Sequence, residues 1–388
     1  RRQRQMCIRD RCETRECTPE ACPYANGYYA RIKGALWDVL DVPCLTAETL
    51  QEYAERHTVC PFELGLDSSL WSDVIIGDYN YLFDPVVHLV RFFESAGDYI
   101  FLVDEAHNLP GRAREMHSAA LTKTSFYEAK KLLGKGKSSL KNALTKVNDV
   151  FIEWRHRAEE ETAARDGRFG KTFFLKERSE EFDHLLNRLC EPLEAWLDDH
   201  REPDETHTAL LQLYFDVRAW LRVADTFDDH FVLQITASGS EVRAAQLCLD
   251  PSAFLADSFA LGRAAVLFSA TLAPASYYKD LCGVPEARAV ALRSPFPAGN
   301  QGLFCIGNVS TRYKDRDASL AIVAESLATM VRAHCGNYLA FFPSYAYMEQ
   351  AYAQFKEHCP EINCIKQENA MDEQQKAAFL AQFCLLYT

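Results

Sequence analysis

Tyr99-Ile100-Phe101-Leu102-Val103-Asp104-Glu105-Ala106-His107 is the stretch on which the fold turns. It opens as a short, nearly all-apolar run, which predicts a strand buried on both faces of a parallel sheet rather than an alternating, half-solvated one. The run stops abruptly at an acidic pair. Acidic side chains at the carboxyl end of such a strand stand in the crevice where open α/β sheets bind ligands. There an Asp can hold the Mg²⁺ that bridges the β- and γ-phosphates of ATP, while the adjacent Glu orients or deprotonates the attacking water. Asp104 and Glu105 are therefore the candidate nucleotide-binding and catalytic pair, with an ordinary acidic strand-end turn as the alternative.

Downstream, Ala264-Ala265-Val266-Leu267-Phe268 is a second strand-like run, and it leads directly into Ser269-Ala270-Thr271. Small hydroxyl residues at a strand exit can hydrogen-bond to an acidic motif on a neighbouring strand, although Ser and Thr also serve as helix caps and turn formers. Upstream, residues 73–79 form a third run, again read as a buried strand. With helical segments between and after these runs, the chain reads as α/β, a parallel sheet with flanking helices.

Residues 118–230 shift to charged, helix-favouring composition with apolar positions at Phe182, Leu185, Leu186, Leu189, Leu193, Trp196 and Leu197. That spacing predicts an all-helical insertion, broken by a polar loop at 164–171. The strand-like Phe231-Val232-Leu233-Gln234-Ile235 is read as the return to the parallel sheet, over 231–297. A further α/β alternation follows over 298–383, with a helix at 320–333 and a strand at 338–342.

Fourteen cysteines in a long chain without a secretory leader point to reduced thiols, any tight group of them being a metal site. Cys12, Cys17, Cys22 and Cys60 give C-x4-C-x4-C-x37-C, within a stretch, 12–62, that also carries a helical pattern from Tyr28 to Trp37. Four thiolates so spaced suit either a 4Fe–4S cluster or tetrahedral zinc. Residues 63–117 then carry the first part of the α/β domain. Residues 1–11, nearly all charged or polar, and 384–388 are expected to be non-native, which leaves Cys7 a doubtful substitute for Cys12.

The net charge of −13 excludes a protein that coats nucleic acid by bulk electrostatics, but it permits a local basic channel. Lys123, Lys130, Lys131, Lys135, Lys137, Lys141 and Lys146 form one such patch, or else a solvated helix face. No apolar run free of charges is long enough to span a bilayer, so a cytoplasmic, membrane-free protein is expected.

The order of these features narrows the reading further. A cysteine-rich insert is followed by Tyr79-Asn80-Tyr81-Leu82-Phe83-Asp84-Pro85, by Val103-Asp104-Glu105-Ala106-His107-Asn108-Leu109, by a helical insertion and by Phe268-Ser269-Ala270-Thr271-Leu272. Over about 12–383 this order resembles the XPD/DinG-like iron–sulfur helicases of superfamily 2. The resemblance implies RecA-like motor domains, a 4Fe–4S cluster on Cys12, Cys17, Cys22 and Cys60, and an arch domain in the insertion. It also implies ATP-driven 5′→3′ unwinding of DNA in repair or replication, by a monomer. In that scheme His107, Ser269 and Thr271 relay nucleotide state, and Tyr338–Tyr345 opens the second motor domain.

Single-stranded DNA passing between cluster domain and arch would meet aromatic residues interleaved with cations. Tyr28, Tyr29, Arg31, Lys33, Lys123 and Lys130 are the candidates, with Tyr24, Phe126 and Tyr127 beside them, and core packing competes for the aromatic ones.

Two departures stand out. No Gly-x-x-x-x-Gly-Lys-Ser/Thr occurs, and no arginine-rich motif follows Tyr345. The chain as given is therefore expected to be truncated at both ends and inactive by itself. A catalytically silent DNA-binding or regulatory module on a helicase scaffold, and a zinc-stapled RNA helicase, are the competing readings.

Overall fold

The structure is a computed structural model that describes residues 19–385 except 135, 137, 165–170, 201, 203, 308, 311, 335, 369, 370 and 372. The chain divides into two compact units, Arg1–Val290 and Ala291–Thr388.

The first unit begins with three packed helices, α1 (Tyr28–Val39), α2 (Ala47–His57) and α3 (Pro61–Ser69). Their apolar stripes meet at Ile32, Ala35, Val39, Leu50, Ala54 and Leu64, joined by Leu45 and Val59 from the connecting segments. Local signals set the ends of α2: the Thr46 hydroxyl accepts from the Thr49 amide at 3.2 Å, and Arg56 and His57 occupy the last turn. Short helices α4 (Asn80–Phe83) and α5 (Val90–Phe93) lead into strand β1 (Ile100–Val103), and α6 (Leu109–Met116) follows a single 3₁₀ turn.

The insertion then runs β2 (Ala119–Thr122), α7 (Lys123–Leu132), α8 (Ser139–Ala164), β3 (Lys171–Leu175), α9 (Glu180–Asp199), α10 (Glu205–Asp225), β4 (Phe231–Ser238) and β5 (Glu241–Cys248). After it come α11 (Ser252–Ala260), β6 (Ala264–Leu267) and α12 (Ala275–Leu281).

Among the described residues, two sheets organise these elements. Strands β1 and β6 pair in parallel, Val103 opposite Leu267, so the two predicted strands are neighbours. One side packs on a core of Phe83, Val103, Ala106, Leu109, Ala113, Leu255, Phe259 and Cys282. The other side is open: Ile100, Leu102 and Val266 are 58 %, 67 % and 51 % exposed, which corrects the expectation of burial on both faces.

The expected strand at 73–79 has no ladder partner among the described residues, and Ile75 and Ile76 are exposed. Its apolar run fits a strand, but a strand forms only beside another.

The insertion is not all-helical. Four strands in the order β2-β5-β4-β3 make an antiparallel sheet under its helices. Phe231–Ser238 therefore does not rejoin the parallel pair; it lies between β5 and β3. The parallel pair is rejoined only at Ala264. Trp220, Phe126, Phe151, Phe173 and Phe182 fill the core between sheet and helices, where each fully buried side chain contributes about 1.5–3 kcal/mol. Buried Asp183 accepts from the Trp220 indole at 2.8 Å; burial nevertheless holds its carboxyl above the usual range.

In the second unit, α13 (Arg316–Ala333) packs on α14 (Tyr345–His358) through Leu320, Ala324, Ala328, Tyr347, Ala351 and Phe355, with α15 (Glu373–Leu385) following. The Ser344 hydroxyl caps α14 by accepting from the Tyr347 amide. The strand expected at 338–342 is unpaired among the described residues, with Leu339 and Phe341 exposed.

Candidate nucleotide and metal sites

Strand β1 ends at Val103, and the backbone turns sharply. Glu105 takes left-handed dihedrals, φ 46° and ψ 40°, which a non-glycine residue holds at a cost of about 1–3 kcal/mol. Four contacts offset that cost. The Tyr79 hydroxyl lies in hydrogen-bond reach of the Asp104 and Glu105 carbonyls, the latter at 3.0 Å; the Ala106 amide donates to Phe268 O at 3.1 Å; and the Glu105 amide donates to Asp104 Oδ1 at 2.7 Å. Burial, reinforced by the Asp104 and Glu105 carboxylates, raises the Tyr79 phenol above its ordinary value, so it stays a donor.

The turn throws Glu105 and His107 toward the exit of β6. His107 Nδ1 is 2.8 Å from Ser269 Oγ and 3.2 Å from Glu105 Oε2, and Ser269 Oγ is 3.1 Å from the same Glu105 oxygen. The Thr271 amide donates to Ser269 Oγ at 3.2 Å, and the Thr271 hydroxyl lies 3.3 Å from it. One proton arrangement serves His107, Glu105 and the Thr271 amide together: His107 Nδ1–H and the Thr271 amide donate to Ser269, whose hydroxyl donates to Glu105. The structure thus joins Glu105, His107, Ser269 and Thr271 in one hydrogen-bonded set, beside Asp104. An open cleft of about 470 Å³ lies alongside, lined by Asp78, Tyr79, Asn108, Gly111, Arg112 and Glu115.

Of the four candidate metal ligands, Cys12 and Cys17 lie outside the described residues. Cys22 is buried at a turn whose carbonyl accepts from the Ala25 and Asn26 amides at 3.1 and 3.0 Å. Cys60 is the N-cap of α3, with Pro61 at the first helical position. Neither is in a disulfide among the described residues, and a pair of cysteine sulfurs suits a soft metal. By contrast, burial pushes the Cys248 thiol up to about 12 and Cys282 up to about 11, the behaviour of inert core residues.

The DNA candidates separate into groups. Tyr28 is 8 % exposed and its hydroxyl donates to Asp67 at 2.8 Å, so it belongs to the core and not to a base-stacking surface. Arg31 is engaged by backbone carbonyls. Tyr29 and Lys33 do face solvent, and Trp37, overlooked in the sequence, extends their row. At spacing i, i+4, i+8 the three share one face of α1, with Tyr29 88 % and Trp37 75 % exposed. In the insertion, Lys123 Nζ donates to Ser240 O at 3.1 Å, Lys130 is half-buried and Phe126 is core; Lys135 and Lys137 lie outside the described residues.

Comparison with known proteins sharpens this picture. The DEAD_2 family model matches residues 1–126. The general transcription and DNA repair factor IIH helicase subunit XPD of Schizosaccharomyces pombe is 24 % identical over 78 % of this chain and 48 % of its own. Its Saccharomyces cerevisiae counterpart, XPD/RAD3, is 22 % identical over 87 % and 52 %. A solved XPD helicase structure is similar at 19 % identity over 86 % of this chain and 56 % of its own, with TM-score 0.45.

By sequence the chain is similar to XPD-type helicases of superfamily 2. It spans about half the length of these relatives. No helix among the described residues is long and apolar enough to cross a membrane.

Proposed function

We propose that this chain is part of an ATP-dependent DNA helicase that couples ATP hydrolysis to 5′→3′ movement along single-stranded DNA, and that Cys12, Cys17, Cys22 and Cys60 hold a 4Fe–4S cluster. The observation that carries the ATPase reading is the hydrogen-bonded set that links Glu105 on one strand to Ser269 and Thr271 on its parallel neighbour. A turn with acidic residues that merely ended a strand would need no such partners.

Bound Mg²⁺ would supply charge to the β- and γ-phosphates, with Asp104 as its protein ligand. Glu105 is placed to orient the attacking water and to take its proton. Its carboxylate cannot move without disturbing Ser269, so the state of the nucleotide is felt at the exit of β6. A cluster would stiffen the cysteine-bearing helices by tying the Cys22 turn to the start of α3. The exposed row Tyr29, Lys33 and Trp37 supports single-strand binding on α1, since bases stack on aromatic faces while the ammonium tracks phosphate.

The test is ATP turnover by the full-length protein with and without single-stranded DNA. Glu105→Gln is expected to cut turnover by about 100-fold or more while nucleotide binding persists; near-normal turnover would sink the assignment. Displacement from duplexes with a 5′ or a 3′ tail reads the polarity. Iron and sulfide at about four each per chain identify the cluster, whereas zinc without sulfide replaces it with a structural zinc site.

A further inference from the structure

Arg31 projects from α1 into the space between the two described cysteine loops. Its Nη2 donates to the carbonyls of Pro23, at 3.1 Å, and Asn26, in the turn that begins at Cys22. Its Nε and Nη2 donate to Thr58 O at 3.0 and 2.7 Å, two residues before Cys60. One guanidinium therefore ties together the backbone segments that carry Cys22 and Cys60.

The surroundings are shaped for it. Gly27 has φ +67°, and a Cβ there would stand 2.9 Å from Arg31 Nη1, so glycine serves both the backbone and the space. Thr58 is a β-branched residue at φ 53°, a conformation such residues rarely adopt. Its amide is held by the Ala54 and Glu55 carbonyls, and its own carbonyl by the two bonds from Arg31.

We infer that Arg31 is a positioning residue for the cysteine metal centre: it holds the Cys22 and Cys60 loops at the separation that metal capture requires. The inference rests on the reading of these cysteines as a metal site. It replaces a DNA-contact role for Arg31, and the two roles differ in what lysine can do. A phosphate contact needs only a cation. A clamp on three carbonyls needs the planar, multi-donor fork, which an ammonium on a flexible stem lacks.

The experiment uses the 388-residue chain purified without oxygen. Iron, sulfide and zinc are quantified, and the rate of metal transfer to a competing chelator is followed in wild type, Arg31→Lys, Arg31→Gln and the control Arg56→Lys, whose guanidinium pairs with Glu52 and Tyr53 on its own helix. Both Arg31 variants are expected to release metal at least about tenfold faster than wild type, as outer-shell substitutions at metal sites do, with Arg56→Lys unchanged. Helical circular dichroism and slow amide exchange at Leu50 and Ala54 are expected to stay as in wild type.

Wild-type release from Arg31→Lys overturns the inference while leaving the metal reading intact. General loss of helix in Arg31→Lys also overturns it, because the role would then be in folding the helices. A wild-type chain that carries neither iron nor zinc overturns the metal reading itself and the inference with it.

Discussion

Ser269 carries more of the candidate site than its size suggests. Its oxygen accepts from His107 and the Thr271 amide and donates to Glu105, so removing it leaves three groups short of a partner. A hydrogen bond to a charged group contributes about 1.5–3 kcal/mol, enough for a tenfold or larger change in rate if it is expressed in the transition state. Ser269→Ala is expected to lower DNA-stimulated ATP turnover of the full-length protein about tenfold, with little change in KM for ATP. Equal loss with and without DNA would place Ser269 in the chemistry and not in the coupling. At this scale the sequence was legible where signal was local: both motifs adjoin strand-like runs, and the strands proved to be neighbours. Tyr79 and Arg31 were not legible in their roles. Each acts on backbone carbonyls distant in sequence, and carbonyls leave no trace in side-chain spacing.

The elements show why the insertion was misread. In β4 the inward residues Phe231, Leu233, Ile235 and Ala237 alternate with Val232, Gln234, Thr236 and Ser238. That period of two marks a half-solvated antiparallel strand, not one buried on both faces of a parallel sheet. The turn that follows was also written locally: Ser238 pairs with Glu241 across Gly239-Ser240, with Gly239 at φ +61°, a two-residue hairpin loop. In β2 only Ala119-Ala120-Leu121-Thr122 pair, too few residues to show a period.

His117 joins these elements to the candidate site. It ends α6 and stacks on Phe254 of α11, ring centres 3.9 Å apart and 9° from parallel. Burial lowers its pKa, outweighing the opposite pull of Asp84 and of a backbone bond to Phe83. The unfolded chain then binds this proton more readily than the folded one. Stability from neutral His117 is present above about pH 6.5 and falls as pH drops below that value. His230, raised by Asp228, contributes in the opposite sense, so the comparison must be between variants. Urea midpoints at pH 7.5 and 5.5 are expected to differ more in wild type than in His117→Gln; equal differences would remove His117 as the titrating group.

For the molecule as a whole, a net charge of −13 means that any grip on DNA is local and is opposed at longer range by the rest of the surface. On the proposed single-strand reading, the row on α1 implies a specific division of labour. Tyr29 and Trp37 offer flat faces to bases, a contact worth about 1–3 kcal/mol per stacked base and nearly indifferent to salt. Lys33 between them offers charge, and each phosphate neutralised on a single strand contributes about 0.7 to the slope of log affinity against log salt. Titration of a fluorescent single-stranded oligonucleotide at several salt concentrations separates the two. Trp37→Ala is expected to weaken binding by about tenfold at every salt concentration and leave the slope as it was. Lys33→Ala is expected to flatten the slope by about 0.7 and to weaken binding most at low salt. If Trp37→Ala and Tyr29→Ala both bind as wild type, the exposed face of α1 is not where the strand runs. The path of DNA must then be sought among the lysines of the insertion, such as Lys131 and Lys146, which are exposed.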